Sequence, residues 1–514
     1  MSPAAEVTAQ GPGPVPAPEA ADGAGDAILR RVITYLPGSI VPAALTLVTS
    51  MVFTRIFDPA AYGTYSLVLV VANPVRLVFT TWLTQSSAKF LPPESSPDGR
   101  ARLRAAVLVS TCGVVAVESV LGVVALAMAW ITVPAGDRDL LLPALIFVLV
   151  SSMYEVLGFV FAVESRAREF TSYRLVDSVV TLALRLLLAS AIVRMDIQLM
   201  FWSVVVSNGV LVPVMWWRGS IPGPAQLSRA LRSAAVRRSV AAFLGFGLPM
   251  TVWFGASVLL DVGDRYVLGY LLGADAVGVY DASYRLIAGI AALLVVPVTI
   301  TLHPHLMRIA GAGDTARTGA LIGLTVENLL VVGALCVGVT VLLRADLADI
   351  LLGPGFQEGS VVMAPVLAGV FLFNVGTFAH KPFEILGRTR PMVLFGVAAA
   401  VANVAFCFAL IPPFGYVGAA WATLFAYLLY TVGTGLLGRR LIPWYLDIGR
   451  LARYGGGVAG GVLAISLLRE ALAGVPHVWG LIATVLSTCL LGAVVLLGLH
   501  RGRPASSVPR EPAG

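Results

Sequence analysis

The sequence predicts an all-α polytopic membrane protein of about fourteen spanning helices: two pseudo-symmetric six-helix lobes followed by two C-terminal helices. Three observations lead there. Charged residues are only 12% of the 514 and hydrophobic ones 58%, with a mean hydropathy of +0.88. A water-soluble domain carries roughly 25% charged and about 45–50% apolar residues, so this chain cannot clothe a large water-facing surface. Its apolar residues also fall in many runs of the ~20 residues a helix needs to cross a bilayer. Finally, the first pair of runs returns about two hundred residues later, as in transporters built from duplicated halves.

The repeat organises the chain. Residues 243–285, FLGFGLPMTVWFGASVLLDVGDRYVLGYLLGADAVGVYDASYR, form an apolar run with Pro249, a charged turn (Asp261, Asp264, Arg265), and a second run opened by Gly278-Val279-Tyr280. Residues 35–76, YLPGSIVPAALTLVTSMVFTRIFDPAAYGTYSLVLVVANPVR, follow the same grammar, with Pro42, Arg55 and Gly63-Thr64-Tyr65. Arg55 matches Arg265 at an offset of 210 residues and Gly63 matches Gly278 at 215, which implies one small insertion.

Residues 1–27 are rich in Ala, Pro and Gly without an apolar core; they read as a disordered cytoplasmic tail rather than a cleavable signal. The first lobe covers 28–217, with spans near 33–54, 62–88, 105–133, 140–163, 175–193 and 197–217. A basic linker, 218–240, carries Arg229, Arg232, Arg237 and Arg238 and reads either as an amphipathic surface helix or as an ordinary positive loop. The second lobe, 241–438, holds spans near 241–262, 276–307, 320–343, 360–380, 391–411 and 416–437. Two more spans, near 453–472 and 478–499, fill 439–499, and a cytoplasmic tail occupies 500–514.

Basic residues orient these spans. With both termini cytoplasmic and strict alternation, 26 of the 35 Lys and Arg residues fall inside. Six (Arg55, Arg138, Arg194, Arg265, Arg344, Arg469) fall outside, and Arg76, Arg185 and Arg285 lie within spans. Missing one span would invert every later loop, so this asymmetry supports the segmentation and the orientation together. The net charge of +7 is thereby read as an insertion signal, with no role for nucleic acid.

A charge at mid-membrane costs roughly 2.5–3.5 kcal/mol and normally faces a cavity or a partner. Such charges are Arg76, Glu118, Glu155, Asp177, Arg185, Asp281, Arg285 and Glu327. Asp281 and Arg285 share one helix face and can pair. Arg76 and Arg185 have no opposite charge within a turn, so they need Glu118, Glu155 or an anionic ligand. A planar, permanently charged guanidinium suits a phosphate or diphosphate. The lumen candidates are therefore Arg76 and Arg185, and Arg285 unless its pair with Asp281 simply locks the helix, with Asp281, Glu118 and Glu155 as partner or coupling carboxylates. Pro42, Pro74, Pro249 and Pro297 sit inside spans and each removes a helix hydrogen bond, either for gating or as ordinary membrane-helix prolines.

No enzyme constellation emerges. The five histidines scatter toward span ends, the four cysteines sit in apolar runs without metal-like spacing, and there is no P-loop, so no cofactor and no direct use of ATP is expected. If a transport cycle is ion-driven, an H+ or Na+ gradient is its source, although the sequence shows no clear Na+ site.

Four stretches carry a family resemblance: TRIFDPAAYGTYSLV, FGLPMTVWFGASVLLDVGDRYVLGYLLGADAVGVYDASYRL, LLGPGFQEGSVVMAPVLAGV and NVAFCFALIPPFGYVGAAWATLFAY. In order and spacing the chain resembles the polysaccharide-biosynthesis flippases of the multidrug/oligosaccharidyl-lipid/polysaccharide (MOP) exporter superfamily. The resemblance implies a V-shaped pair of lobes around a lumen in the plasma membrane. It implies alternating-access transfer of undecaprenyl-diphosphate-linked oligosaccharide to the outer leaflet, with Arg76 and Arg285 as cationic lumen residues. Other polysaccharide-assembly proteins are candidate partners. A multidrug cation antiporter and a lipid-II-type flippase of the same superfamily are the alternatives; a membrane glycan ligase or polymerase is disfavoured by the short outer loops.

Overall fold

The computed structural model describes residues 37–92, 96–132, 135–164, 166–191, 196–219, 224–472 and 477–501. The predicted tail 1–27 and residues 502–514 lie outside them. The described residues are helical, without a strand. The first six long helices are α1 (Pro37–Ile56), α2 (Pro59–Phe90), α3 (Pro97–Thr132), α4 (Leu141–Val163), α5 (Ala167–Ala191) and α6 (Leu199–Arg218). The linker forms α7 (Pro224–Arg232). Next come α8 (Ala234–Gly311), α9 (Thr315–Leu351), α10 (Met363–Ala379), the short α11 (Lys381–Ile385), α12 (Arg390–Phe414) and α13 (Tyr416–Gly438). The chain closes on α14 (Ile448–Ala471) and α15 (His477–Arg501). Single 3₁₀ segments, Ala135–Leu140 and Pro354–Val362, precede α4 and α10, at corresponding places of the two repeats.

A helix occupies each of the fourteen predicted spans. Among the described residues ten stretches qualify as membrane-crossing by length and hydropathy, and two shorter apolar helices, Ile40–Ile56 and Ile482–Val495, add to them. This is a multi-pass membrane protein. The second half of α8 follows the first without a loop: Gly273 alone leaves helical geometry, at φ 85° and ψ −178°. Side-chain pairs across this break mirror one another, Asp261 with Tyr284, Asp264 with Tyr280 and Arg265 with Asp281. Pairs that converge on residue 273 from both sides define an antiparallel hairpin. The break needs a positive φ, which glycine adopts without steric cost.

This corrects the sequence reading in one respect. Asp261, Asp264 and Arg265 do not form a turn, and Arg265 does not belong to an outer loop. The helix runs a further two turns to Leu272 and buries Asp264 and Arg265 at 0% and 3% exposure. Their charges fooled the hydropathy pattern because they are neutralised across the hairpin rather than by water.

Helix ends follow their sequence signals. Asp58 accepts the Ala61 amide at 2.8 Å with Pro59 in the first turn of α2, and Asp314 and Asp447 cap α9 and α14 likewise. In lipid, helices associate by close packing, which small residues permit. Ala399, Ala400, Ala419, Ala420, Ala422 and Ala426 are accordingly buried where α12, α13 and their neighbours meet. Ion pairs pin α14 to α9 at both ends: Arg450 to Glu327 at 3.6 Å and Arg469 to Asp346 at 2.6 Å. Thus Glu327, one of the in-span charges, has a local partner. In the linker, Arg229, Arg232, Arg237 and Arg238 are exposed while Ala230 and Val236 pack against Leu103 and Ala106 of α3, an amphipathic arrangement.

Candidate functional site: a cavity between the two halves

The repeat glycines bring the two halves together. Gly63 on α2 faces the main chain of α8, where a Cβ would lie 1.7 Å from the Ala274 carbonyl oxygen. Reciprocally, a Cβ on Gly278 would lie 2.0 Å from the Pro59 carbonyl oxygen. Pro59 and Ala274 are themselves one turn before the two glycines. Equivalent residues thus touch equivalent residues, as across a twofold axis. One turn further along, Ser66 donates to Asp281 Oδ2 at 2.7 Å, and Ser66 and Asp281 are again separated by 215 positions.

The 3₁₀ segment Pro354–Val362 closes over this crossing. Phe356 packs edge-on to Tyr62 at 5.5 Å, and the Gly353 amide donates to Thr54 Oγ1 at 3.0 Å. Arg55 reaches the Ile350 carbonyl. Three of the four resemblant stretches therefore meet at one end of the molecule, the turn end. At the opposite, basic end α2 touches the first half of α8: Ser86 donates to the Phe243 carbonyl at 2.7 Å, and Phe90 stacks on Phe243 at 5.6 Å.

Between these two contacts lies a cavity of about 430 Å³, lined from α1 by Ala43 and Thr46, from α2 by Asn73, Pro74 and Arg76, and from both arms of α8 by Asp261, Arg265, Tyr284 and Arg285. Arg76 and Arg285 retain 16% and 29% side-chain exposure. Arg76 makes a 3.4 Å contact with Glu155, which also meets Arg174 at 3.6 Å, and its buried Nε has no partner among the described residues. Arg285 Nε donates to Asp281 Oδ2. Arg265 Nε donates to Asp281 Oδ1 at 3.0 Å, one Nη donates to Asp264 Oδ1 at 2.9 Å, and its guanidinium stacks 3.8 Å over the Tyr284 ring. Asp264 is held further by the Tyr280 hydroxyl at 2.5 Å and Thr423 of α13 at 2.9 Å.

Burial is what makes this network rigid. A charge removed from water costs several kcal/mol unless partners replace the lost hydration, and Asp264 and Asp281 each have two or more donors. Of the partners the sequence offers Arg76 (Glu118, Glu155 or an anionic ligand), Glu155 is the one beside it. The cavity is charge-balanced rather than simply cationic.

The other site candidates lie elsewhere. Arg185 on α5 donates to Ser203 Oγ at 2.9 Å and to the Met200 carbonyl at 3.2 Å, both on α6, and does not line this cavity. Glu118 accepts from Ser152 at 2.8 Å and borders a separate, apolar cavity of about 410 Å³ between α2, α3 and α4. Its second oxygen has no partner among the described residues. Asp177 meets Ser207 at 2.7 Å.

Sequence reasoning missed Arg265, Asp264, Asp261, Tyr280, Tyr284, Ser66 and Thr423. The mirrored order D-x-x-D-R … Y-D-x-x-Y-R about Gly273 was the available signal for the first five. Ser66 and Thr423 carry no signal of their own, because only helix packing brings them close. Among the described residues no cluster of His, Cys, Asp and Glu suits a metal ion.

The family described as polysaccharide biosynthesis protein matches residues 28–310. No curated protein matches the chain in sequence. Among solved structures, the chain is similar to a lipid II flippase, MurJ, in an inward closed conformation, with a TM-score of 0.64 at 12% identity over 91% of this chain and 99% of that one. It is also similar to an inward-facing multidrug resistance MATE family transporter of the MOP superfamily, with a TM-score of 0.60 at 12% identity over 78% of this chain and 94% of that one. A Vibrio cholerae MATE transporter, VcmN, solved as a point mutant, aligns with a TM-score of 0.52 at 16% identity over 82% and 98% of the two chains. At these identities the likeness establishes a shared fold.

Proposed function

The chain belongs to the polysaccharide biosynthesis protein family, and from that premise we propose that it is a flippase for undecaprenyl-diphosphate-linked oligosaccharide. The observation that carries this reading is the cavity between the halves, into which Arg76, Arg265 and Arg285 project from three helical segments. Guanidinium forks match the oxygens of a diphosphate two at a time, and they bind best where water is excluded. In the resting protein Glu155 and Asp281 serve as counter-ions; the diphosphate takes over part of that role on arrival. Thr46, Asn73, Asp261 and Tyr284 offer donors and acceptors to the adjoining sugar. The volume falls within the roughly 300–1,000 Å³ of small-molecule sites, enough for the diphosphate and its first sugar. The polyprenyl tail stays in lipid.

Transfer proceeds by alternating access. The α2 contacts at the basic end and at the turn end open in turn, while the charged hairpin moves as a unit. On this reading the protein lies in the plasma membrane with the basic end and both termini facing the cytoplasm, an orientation supported by the distribution of Lys and Arg. An H+ or Na+ gradient drives the cycle, and Glu118, with one oxygen uncommitted, is the coupling carboxylate of choice. Asp281 is a poor one, being held by two arginines and a serine. Other polysaccharide-assembly proteins supply the substrate and receive it.

The charge balance of the cavity favours a second reading, an antiporter of organic cations, in which Asp261 would meet the cation. Surface-polysaccharide export in cells carrying Arg76→Ala or Arg285→Ala separates the two. Loss of export at normal protein level supports the flippase; unchanged export in both variants rules out the assigned lumen.

A further inference from the structure

Asp281 sits where the lobe contact and the arginine cavity meet, and the two share one of its atoms. Its Oδ2 accepts both the Ser66 hydroxyl of α2, at 2.7 Å, and Nε of Arg285. Both Ser66 and Asp281 are at 0% exposure, one turn past the reciprocal glycine contact that closes the turn end. Arg285, by contrast, keeps 29% side-chain exposure toward the cavity. The other oxygen, Oδ1, is committed to Arg265 at 3.0 Å. The side-chain donors to Asp281 are therefore Ser66 from one half and Arg265 and Arg285 from the other, with Tyr62 of the first half also close to it.

We propose that Asp281 is an interlock, through which an anion held on Arg285 tightens the Ser66 latch and keeps the turn end shut. The proposal rests on the reading of the cavity as an anion site. Two donors on one carboxylate oxygen compete for its electron density, so each bond is weaker than it would be alone. An anion in the cavity draws the Arg285 guanidinium toward itself. Oδ2 then depends on Ser66, and pulling Ser66 away leaves a buried charge with less compensation. While the anion occupies Arg285 the exit stays closed; when it passes to Arg76 on the opposite wall of the same cavity, Arg285 returns to Oδ2 and Ser66 is released at lower cost. By linkage, a closed turn end must raise anion affinity by the same factor that the anion favours closure. Ser66 acts here as a positioning residue, without touching the ligand.

The test uses the full chain in detergent, with Cys112, Cys336, Cys407 and Cys489 replaced by alanine and Val277→Cys, buried beside Gly278, as reporter. A water-soluble maleimide labels the reporter only when the turn end opens. The probe is inorganic pyrophosphate, whose binding is measured separately by calorimetry. The expected result is labelling slowed at least threefold by saturating pyrophosphate. Ser66→Ala should label about tenfold faster without ligand and lose the pyrophosphate response, and Ser66→Thr, which keeps the hydroxyl, should restore both. Equal labelling of Ser66→Ala and its parent, or an undiminished pyrophosphate response in Ser66→Ala, overturns the interlock. If pyrophosphate binds but leaves the parent's labelling unchanged, the interlock fails while the anion site stands. If it does not bind at all, the anion site fails, and with it the interlock's ligand.

Discussion

Replacing Gly63 by alanine puts a single methyl group into the place where the two halves touch. Its Cβ would lie 1.7 Å from the Ala274 carbonyl oxygen, 2.6 Å from the Ala274 carbonyl carbon and 2.8 Å from the Gly278 nitrogen. All three are main-chain atoms of a helix, so no rotamer change can relieve the overlap. Carbon and oxygen settle at about 3.3–3.6 Å, so α2 and α8 must part by about 1.6–1.9 Å. The 2.7 Å bond from Ser66 to Asp281, one turn away, would stretch beyond hydrogen-bonding distance. Overpacking on this scale costs about 1–3 kcal/mol, and 2 kcal/mol is roughly a thirtyfold change in population. If the lobes separate without unfolding, as the proposed alternating access has it, the variant should fold normally yet favour an open turn end, and export should fall at least tenfold. Spin labels at Ala60→Cys and Asp275→Cys, both exposed at this end, report the separation by pulsed electron resonance. A lengthened distance distribution is expected for Gly63→Ala and for Gly278→Ala, and none for Gly113→Ala, whose Cβ meets nothing within 4 Å. An unchanged distribution with normal export in Gly63→Ala refutes the glycine contact as the seal.

Other consequences follow from the same geometry. Arg285→Lys should rescue Arg285→Ala poorly in export assays, because a lysine point charge cannot hold Asp281 and a diphosphate at once. Asp264→Ala removes a carboxylate at 0% exposure from Arg265 at 4% side-chain exposure. It should cost about 3–5 kcal/mol, seen as a large fall in melting temperature in detergent. Arg185→Met removes hydrogen bonds to Ser203 and Met200 away from the cavity. It should lower stability by about 1.5–3 kcal/mol and leave export near normal; lost export at normal stability would return Arg185 to the lumen.

The fold was largely legible because the bilayer imposes one rule on every span, and apolar run length reads that rule directly. It failed around Asp261 and Arg265, where hydropathy equates charge with water. There the helix continues two more turns because Tyr280, Asp281 and Tyr284 on the returning arm supply the partners that water would have given. Of the site, Arg76 and Arg285 were legible as charges out of place, and both line the cavity. The identity of their neighbours was not. Glu155 lies 79 positions from Arg76 and Ser66 lies 215 from Asp281, and no local periodicity relates helices so far apart in sequence. The offset of 215 was nevertheless visible as a repeat, and it marked the residues that meet at the crossing.

The most direct test of the central claim is mass spectrometry of lipids extracted from cells depleted of this protein. The account predicts accumulation of an undecaprenyl-diphosphate-linked oligosaccharide that remains on the cytoplasmic face, cleared by restoring the wild-type chain but not Arg285→Ala. Absence of any such lipid, together with new sensitivity to cationic dyes, would contradict it and favour an antiporter.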